Sequence, residues 1–289
     1  MEVIVGKTAG FCYGVKNAVD NATEEIKKNN NVCCLGEIVH NSKVVKELQD
    51  MGMKFIENLE ENTDGCKTII RAHGVPQEIY IQAEEKGIEL VDLTCPKVLK
   101  IHKIVSEYAS RDYFIFVIGN KVHPETQGTI SFCGKTSYII EHEDDIEDAI
   151  NEFKTSKMKN LLVVVQTTFS MEKFNNFIQK INTYFDEKEQ NINVEVINTI
   201  CNATKIRQEE TEEMSKNIDY MVIIGGKNSS NTKKLYDISC KNCNKVVCIE
   251  DVSEINLEDF DLVNTVGIMA GASTPQKSVD EVVELLKNT

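Results

Sequence analysis

The sequence predicts an α/β protein made of three small α/β units with mostly parallel sheets, arranged around a shared centre. Two patterns in the 289 residues support this prediction. Short apolar runs alternate with helical patterns along the whole chain, which is typical of βαβ units and parallel sheets. A strand, a short turn, a cysteine and a helix also recur three times, in VIVGKTAGFCYGV, ELVDLTCPKVLK and VEVINTICNATK.

The individual elements follow from local patterns. Strands are predicted where short runs of β-prone apolar residues are bounded by turn residues, at residues 3–6, 68–71, 89–92, 113–118, 161–165, 194–197, 220–224, 246–249 and 265–269. Helices are predicted where apolar residues recur at helical spacing, at residues 15–29, 76–86, 97–109, 170–185, 207–217 and 275–286. The acidic stretch 141–148 is interpreted as a solvated loop that leads into a helix start.

The recurring cysteines, Cys12, Cys95 and Cys201, are 83 and 106 residues apart. Their spacing suits units of about 100 residues. We predict that the three units span residues 1–97, 98–194 and 195–289, with the Cys12 and Cys95 loops at the ends of the first. Ligands bind at the carboxyl ends of the strands in parallel α/β sheets, so the loops that follow the strands are the candidate site.

The chain is acidic, with 32 Lys and Arg residues against 46 Asp and Glu residues and a formal net charge of −14. Such a surface disfavours binding to nucleic acid or to anionic lipid. No apolar run approaches the roughly 18 residues of a membrane span, and the start MEVIVG lacks the basic segment of a secretory signal. We therefore expect a cytoplasmic protein with neither a nucleic-acid partner nor a membrane partner.

Ten cysteines in such a chain indicate metal binding or redox chemistry rather than a disulfide framework. Cys12, Cys95 and Cys201 each precede a predicted helix, whose positive end favours the thiolate, the form that binds metal. Thiolates suit zinc or an iron–sulfur cluster. Three ligands are one fewer than a four-iron cluster takes, which would leave one iron open to substrate. The alternative is three unrelated thiols at strand ends.

Five of the other cysteines are interpreted as structural. Cys33, Cys34 and Cys248 lie in apolar, β-prone surroundings and are interpreted as buried free thiols. Cys240 and Cys243 form a CxxC pair, which without a second pair is weak evidence for zinc. We interpret these two as surface or packing thiols.

Three histidines, His40, His73 and His123, each close a strand beside turn residues. A single histidine is more often a structural hydrogen-bonding group, but three in equivalent loops indicate a site, and imidazoles suit a phosphate. Glu125 is the only carboxylate beside a histidine in these loops, which makes it the candidate proton donor.

The hydroxyl and amide side chains of three other loops complete the candidate site. Ser229, Ser230 and Asn231 lie where GGKNSSNTKK follows a strand and opens a helix, whose backbone amides suit an anion. Ordinary N-capping is the alternative interpretation of these residues. Ser273 in AGASTP and Thr167 in QTTFS also follow strands.

These loops together resemble one known family. GFCYGV, EIVHNS, RAHGVP, DLTCPKV, HPETQGT, QTTFS, CNATKIRQE, GGKNSSNT and AGASTPQ occur in this order along nearly the whole chain. In this respect the sequence closely resembles 4-hydroxy-3-methylbut-2-enyl diphosphate reductases, the last enzymes of the methylerythritol phosphate route to isoprenoids. The resemblance implies three α/β units in a pseudo-threefold arrangement around a central iron–sulfur cluster.

The resemblance also implies a role for each candidate residue. It makes Cys12, Cys95 and Cys201 the ligands of one 4Fe-4S cluster whose fourth iron is open to substrate. It makes Glu125 the proton donor and Thr167 a substrate contact. The other positions that it assigns to substrate and diphosphate binding are His40, His73, His123, Ser229, Ser230, Asn231 and Ser273.

The activity implied is the reductive dehydroxylation of 4-hydroxy-3-methylbut-2-enyl diphosphate to isopentenyl and dimethylallyl diphosphate. The chain lacks a GxGxxG fingerprint, so the implied electron donor is a ferredoxin or a flavodoxin rather than a bound nucleotide.

Two alternative functions come from other classes of protein. A zinc hydrolase would use the histidines and Glu125 but leave the cysteines without a role, and a non-catalytic iron–sulfur redox sensor would leave the anion loops without one.

Overall fold

The computed structural model describes residues 1–188 and 191–288. Residues 189, 190 and 289, which fall in the second and third predicted units, lie outside the described residues. The strands are β1 (Glu2–Val5), β2 (Val32–Leu35), β3 (Lys54–Ile56), β4 (Lys67–Ile70), β5 (Leu90–Asp92), β6 (Phe114–Ile118), β7 (Ser137–Ile140), β8 (Asn160–Val165), β9 (Asn193–Val196), β10 (Tyr220–Ile224), β11 (Val246–Ile249) and β12 (Thr265–Ala270). The helices are α1 (Tyr13–Lys28), α2 (Ser42–Asp50), α3 (Gln77–Lys86), α4 (Pro96–Ala109), α5 (Pro124–Ser131), α6 (Asp145–Ser156), α7 (Met171–Lys188), α8 (Asn202–Ser215), α9 (Ser230–Asn242) and α10 (Gln276–Lys287).

The strands form three parallel sheets of four strands each. Their orders are β1-β12-β10-β11, β3-β2-β4-β5 and β7-β6-β8-β9, and every pairing within them is parallel. The predicted class, α/β with three parallel sheets, is therefore confirmed.

The chain folds into two compact units. Unit 1 consists of Met1–Thr23, Val39–Gly52 and Asn202–Thr289 and contains the first sheet. Unit 2 consists of Glu24–Ile38 and Met53–Cys201 and contains the other two. In the first sheet β1, from the start of the chain, pairs with β12, from its end. The predicted boundaries after residues 97 and 194 stay a prediction.

The central strands are buried, as is typical of parallel sheets. All five residues of β6 are buried, and so are residues 161–165 of β8. In unit 2 a phenylalanine-rich core packs against these strands and includes Phe153 and Phe185. In unit 1 the corresponding core lies around Val222 and Ile268.

All nine predicted strands are present, and each end lies within one residue of its predicted position. The structure adds β2, β3 and β7, which we did not predict as strands. β3 has three residues, and both β3 and β7 lie at sheet edges, where an apolar run is neither long nor fully buried. Within the stretch 141–148, residues 141–144 form a loop and α6 begins at Asp145, as predicted. The Asp145 carboxylate accepts hydrogen bonds from the backbone amides of Glu141 and His142.

One cysteine interpretation is wrong. Cys33 is not a free thiol, because it forms a disulfide with Cys66. β2 pairs with β4 so that Cys33 lies opposite Thr68, and Cys66 directly precedes β4. The two Cα atoms are 5.9 Å apart, within the usual range for a disulfide. The pairing depends on strand register, which the spacing of the cysteines along the chain does not reveal.

Among residues 1–188 and 191–288, no helix combines the length and the apolar character that crossing a membrane requires.

Candidate functional site

Glu125 lies in the first turn of α5, in unit 2, and its position follows from the end of β6. After β6 the chain turns at residues 119–123, and His123 caps α5: its Nδ1 accepts a hydrogen bond from the Glu125 backbone amide over 3.1 Å. Pro124 occupies the first helical position, where its missing amide hydrogen costs nothing. The Glu125 side chain is only 2 % exposed.

Thr167 holds the Glu125 carboxylate. Its backbone amide donates to Oε1 over 2.6 Å, and its hydroxyl Oγ1 donates to Oε2 over 2.7 Å. The contact exists because β6 and β8 are neighbours, with Ile118 opposite Val165, so that the loops after both strands meet. Burial raises the pKa of Glu125 from 4.5 to about 7, although the two hydrogen bonds from Thr167 act to lower it. Glu125 can therefore hold a proton at neutral pH.

Two of the predicted histidines are in contact in unit 2. The ring centroids of His73 and His123 are 5.4 Å apart, and the rings are nearly perpendicular, at 89°. His73 lies in the loop after β4, where Gly74 has a φ of +76°. The positive φ of Gly74 favours glycine, and a Cβ there would make tight contacts of 3.1 Å with Cε1 of His102 and 3.2 Å with Cγ2 of Thr94.

Cys95 and Cys201 are each tied by a backbone hydrogen bond to one of these loops. The Cys95 amide donates to the carbonyl of Ala72, next to His73, over 3.0 Å. The Cys201 amide donates to the carbonyl of Thr167 over 3.0 Å. Cys95 precedes α4, Cys201 precedes α8, and both are half-buried. Unit 2 therefore brings six predicted site residues into one chain of contacts: His73, Cys95, His123, Glu125, Thr167 and Cys201.

Unit 1 contains the other predicted residues, and its first group surrounds the loop after β12. The Cys12 amide donates to the carbonyl of Ala272 over 3.1 Å, and Cys12 directly precedes α1. The Ser273 hydroxyl donates to the carbonyl of His40 over 3.0 Å. A Cβ at Gly226 would lie 2.4 Å from that same carbonyl oxygen, so glycine permits the close approach of this loop to His40.

The N-terminus of α9 carries the remaining predicted residues of unit 1. Ser229 caps the helix, since its hydroxyl accepts a hydrogen bond from the Thr232 amide over 3.3 Å, so N-capping accounts for this residue. Asn231 is 3 % exposed, and its Oδ1 accepts a hydrogen bond from the Ala272 amide over 3.0 Å. Within the described residues its Nδ2 is buried without a hydrogen-bond partner. A buried donor at a helix N-terminus suits an anion.

The cysteines separate into two groups by their surroundings. Burial raises the pKa of Cys34 and Cys133 to about 12 and that of Cys248 to about 11, which disfavours the thiolate that a metal requires. Cys243 is buried and donates to backbone carbonyls, including that of Lys245 over 3.2 Å, as expected for a packing thiol.

Cys12, Cys95 and Cys201 are half-buried, as Cys248 is, but each of the three directly precedes a helix, whereas Cys248 lies within β11. None of the three forms a disulfide. Each of the loops that hold them carries a threonine hydroxyl group, that of Thr8, Thr94 or Thr199. By donor type and exposure, these three thiols fit an iron–sulfur cluster.

Sequence reasoning did not single out Arg207 and Glu210, two charged residues of α8 whose side chains bind the loop before Cys12. The signal present in the sequence is their spacing of three, which places both on one face of the helix that follows Cys201. That signal is weak because helices commonly carry charged residues at this spacing on solvated faces.

Comparisons with known proteins cover the whole chain. The family model described as LytB protein matches residues 3–287. The curated 4-hydroxy-3-methylbut-2-enyl diphosphate reductase of Alkaliphilus oremlandii is 39% identical over 292 residues, which cover 100% of both chains. The protein of the same name from Clostridioides difficile is 38% identical over 289 residues, again covering 100% of both chains.

Solved structures are similar over the same length. The structure of E-1-hydroxy-2-methyl-but-2-enyl-4-diphosphate reductase from Plasmodium falciparum matches with a TM-score of 0.89 and 32% identity, covering 99% of this chain and 88% of that one. A structure described as (E)-4-hydroxy-3-methyl-but-2-enyl diphosphate reductase, the terminal enzyme of the non-mevalonate pathway, matches with a TM-score of 0.71 and 37% identity, covering 100% of both chains.

Proposed function

This chain belongs to the LytB protein family, and we infer that it is an oxidoreductase that converts 4-hydroxy-3-methylbut-2-enyl diphosphate to isopentenyl and dimethylallyl diphosphate. The reaction removes the allylic hydroxyl group as water and consumes two electrons and two protons. The chain must therefore bind a diphosphate, supply protons and receive electrons. Neither a zinc hydrolase nor a redox sensor has support from the family or from the relatives.

We propose that the diphosphate binds to the loops of unit 1 with help from the histidines. The buried Nδ2 of Asn231 supports this proposal, because it is a donor without a partner among the described residues, at the N-terminus of α9. Ser229 and Ser230 supply hydroxyl groups at the N-terminus of α9, and Ser273 supplies one in the loop after β12. The substrate-binding set that we propose is His40, His73, His123, Thr167, Ser229, Ser230, Asn231 and Ser273.

Cys12, Cys95 and Cys201 are proposed to hold one 4Fe-4S cluster. Their half-exposure, their places before helices and the backbone hydrogen bonds that fix all three support the assignment. When bound, such a cluster supplies Lewis acidity at an iron without a cysteine ligand, together with electrons one at a time. The role of the chain is to fix the three sulfur atoms and to keep the surrounding loops in place.

Glu125 is proposed to deliver the proton that allows the hydroxyl group to leave as water. The support is its burial against Thr167, which raises its pKa to about 7 and so keeps a proton on the carboxyl group at neutral pH. The Thr167 hydroxyl can relay this proton, because Oγ1 is hydrogen-bonded to Oε2 of Glu125. A hydroxyl group can accept one proton while it donates another. This buried carboxyl–hydroxyl pair is the observation on which the proposed chemistry depends most.

A ferredoxin or a flavodoxin is the proposed electron donor. Both kinds of carrier are usually acidic, and this chain has a net charge of −14, so docking requires a local patch of basic residues. Raised ionic strength would then slow the reaction with the protein carrier.

Anaerobic purification followed by a turnover assay tests the proposed function. The protein is expected to be brown, to contain iron rather than zinc, and to convert the allylic diphosphate when reduced by a viologen dye. Gas chromatography of the dephosphorylated products identifies both isomers. A colourless protein that contains zinc would support a hydrolase, and a brown protein without turnover would support a redox sensor.

A further inference from the structure

The loop between β1 and α1 is held by two side chains of α8, and the loop ends at Cys12. It comprises residues 6–12 and belongs to unit 1, as does α8. Arg207 and Glu210 lie three residues apart on α8 and therefore share one face of the helix. Both reach the loop backbone.

Arg207 binds the carbonyl groups of the loop. Its Nε donates to the carbonyl of Thr8 over 2.8 Å, and its Nη2 donates to the same oxygen over 2.5 Å and to the carbonyl of Gly10 over 2.7 Å. The Arg207 side chain is 3 % exposed. A planar guanidinium group holds its several donors in a fixed fork, which suits the simultaneous binding of these two carbonyls.

Glu210 binds the amide groups of the same loop. Its Oε1 accepts a hydrogen bond from the Lys7 amide over 2.6 Å, and its Oε2 accepts one from the Thr8 amide over 3.0 Å. The Thr8 hydroxyl also donates to Oε2. One cation and one anion of α8 thus bind two carbonyls, two amides and a hydroxyl group within four successive residues.

The backbone of the loop 6–12 is also restricted by its own conformation and by two further hydrogen bonds. Gly10 has a φ of +101°, in the left-handed region that favours glycine. The Gly6 amide donates to the carbonyl of Ile268 over 2.9 Å, and the Cys12 amide donates to that of Ala272 over 3.1 Å. Backbone hydrogen bonds to β12 and to the loop after it therefore fix the two ends of this loop, and the side chains of α8 fix its middle.

We propose that Arg207 and Glu210 are positioning residues for Cys12, which set the place and direction of its thiolate before an iron–sulfur cluster binds. This inference rests on the proposed assignment of Cys12 as a cluster ligand. The helix that supplies the clamp begins one residue after Cys201, a second proposed ligand.

The test uses two conservative variants and two matched controls on the same helix. Arg207→Lys keeps the positive charge but loses the planar fork, and Glu210→Gln keeps the shape but loses one acceptor oxygen. Lys205→Arg and Glu209→Gln are the controls, because these residues form an exposed ion pair of 3.8 Å on α8 and do not touch the loop.

Two readouts that do not depend on turnover are measured on the anaerobic holoenzyme: amide hydrogen exchange at Lys7 and Thr8, and the rate at which an iron(II) chelator removes the cluster. Both rates should rise at least tenfold in Arg207→Lys and in Glu210→Gln, and both controls should match the wild type. Rates within twofold of the wild type in both variants would overturn the proposal, whatever their activity. So would unchanged chelation rates with faster exchange, because the loop would then move without consequence for the cluster.

Failure of the clamp and failure of the cysteine assignment are distinguishable through Cys12→Ser. If this variant keeps its full iron content, Cys12 is not a ligand and the proposed function is wrong at that position. If it loses iron while the clamp variants behave as the wild type, the ligand assignment stands and only the clamp is refuted.

Discussion

Thr167 donates hydrogen bonds to both carboxylate oxygens of Glu125, from its backbone amide over 2.6 Å and from its hydroxyl over 2.7 Å. The pair is buried, and burial has the larger effect on the carboxyl group, so the pKa of Glu125 is raised to about 7 despite both hydrogen bonds. A carboxyl group in this state is suited to general acid catalysis near neutral pH.

Replacing Thr167 by valine should move the pH dependence of turnover. The hydroxyl bond favours the ionised carboxylate, so its loss raises the pKa of Glu125 above its wild-type value. Because a proton donor works only while protonated, kcat falls as the pH rises through this pKa, and in Thr167→Val the fall should occur at higher pH. A kcat–pH profile measures it. Thr155→Val, on the exposed face of α6, is the control, and a profile that coincides with the wild type in Thr167→Val would refute the coupling.

Glu125 should also make folding stability depend on pH. Its pKa is 4.5 in the unfolded reference and about 7 in the folded protein, so between these values the folded state binds more protons. The stability that this group contributes is fully present below pH 4.5 and decreases as the pH rises to about 7, by up to about 3 kcal/mol.

Glu125→Gln removes that dependence. Urea unfolding at pH 4.5 and pH 7.5 should show the wild type losing stability relative to the variant over this interval. Glu209→Gln, an exposed change, should follow the wild type. If the difference between the wild type and Glu125→Gln is the same at both pH values, the carboxyl group titrates alike in the folded and unfolded chains.

Loss of the Asn231 side chain should weaken substrate binding. Its buried Nδ2 has no partner within the described residues, and a hydrogen bond to a charged diphosphate is worth about 1.5–3 kcal/mol. Asn231→Ala should therefore raise the Kd of substrate, and that of inorganic diphosphate, by about 10-fold to 150-fold. Calorimetric titration measures both. Asn242→Ala, at the other end of α9, is the matched control. If both variants bind substrate and inorganic diphosphate with equal affinity, Asn231 does not contact the diphosphate.

Replacement of Cys95 by serine should remove the cluster. One of three thiolate ligands is lost, and the remaining two do not retain four irons, so iron per chain should fall by most of its wild-type value in anaerobically purified protein. Cys240→Ser, which changes an exposed thiol on α9, should leave the iron content unchanged. Full iron content in Cys95→Ser would show that the three-cysteine assignment is wrong.

Much of this fold can be predicted from sequence because parallel strands buried on both faces appear as continuous apolar runs. The runs of β6, β8, β10 and β12 are such signals. Short edge strands such as β3 carry too few apolar residues for the same signal. The pairing of β1 with β12 joins opposite ends of the chain, and local patterns contain no information about it.

The candidate site can likewise be predicted from sequence only in part. Glu125 is recognisable in sequence as a carboxylate beside His123 at the end of a strand. Its bond to Thr167 is not, because it depends on β8 lying next to β6 although β7 comes between them in the chain. The clamp formed by Arg207 and Glu210 depends in the same way on the packing of α8 against the loop before Cys12.

Turnover of Glu125→Gln per bound cluster tests the proposed chemistry most directly. Glutamine keeps the shape of the side chain but has no acidic proton, and general acid catalysis contributes about 10²–10⁴ in rate. Under reduction by a viologen dye at neutral pH, kcat per 4Fe-4S cluster should fall by that factor, while the iron content and substrate affinity stay near those of the wild type. A kcat per cluster close to that of the wild type would show that the proton comes from another group and would contradict the role proposed for Glu125.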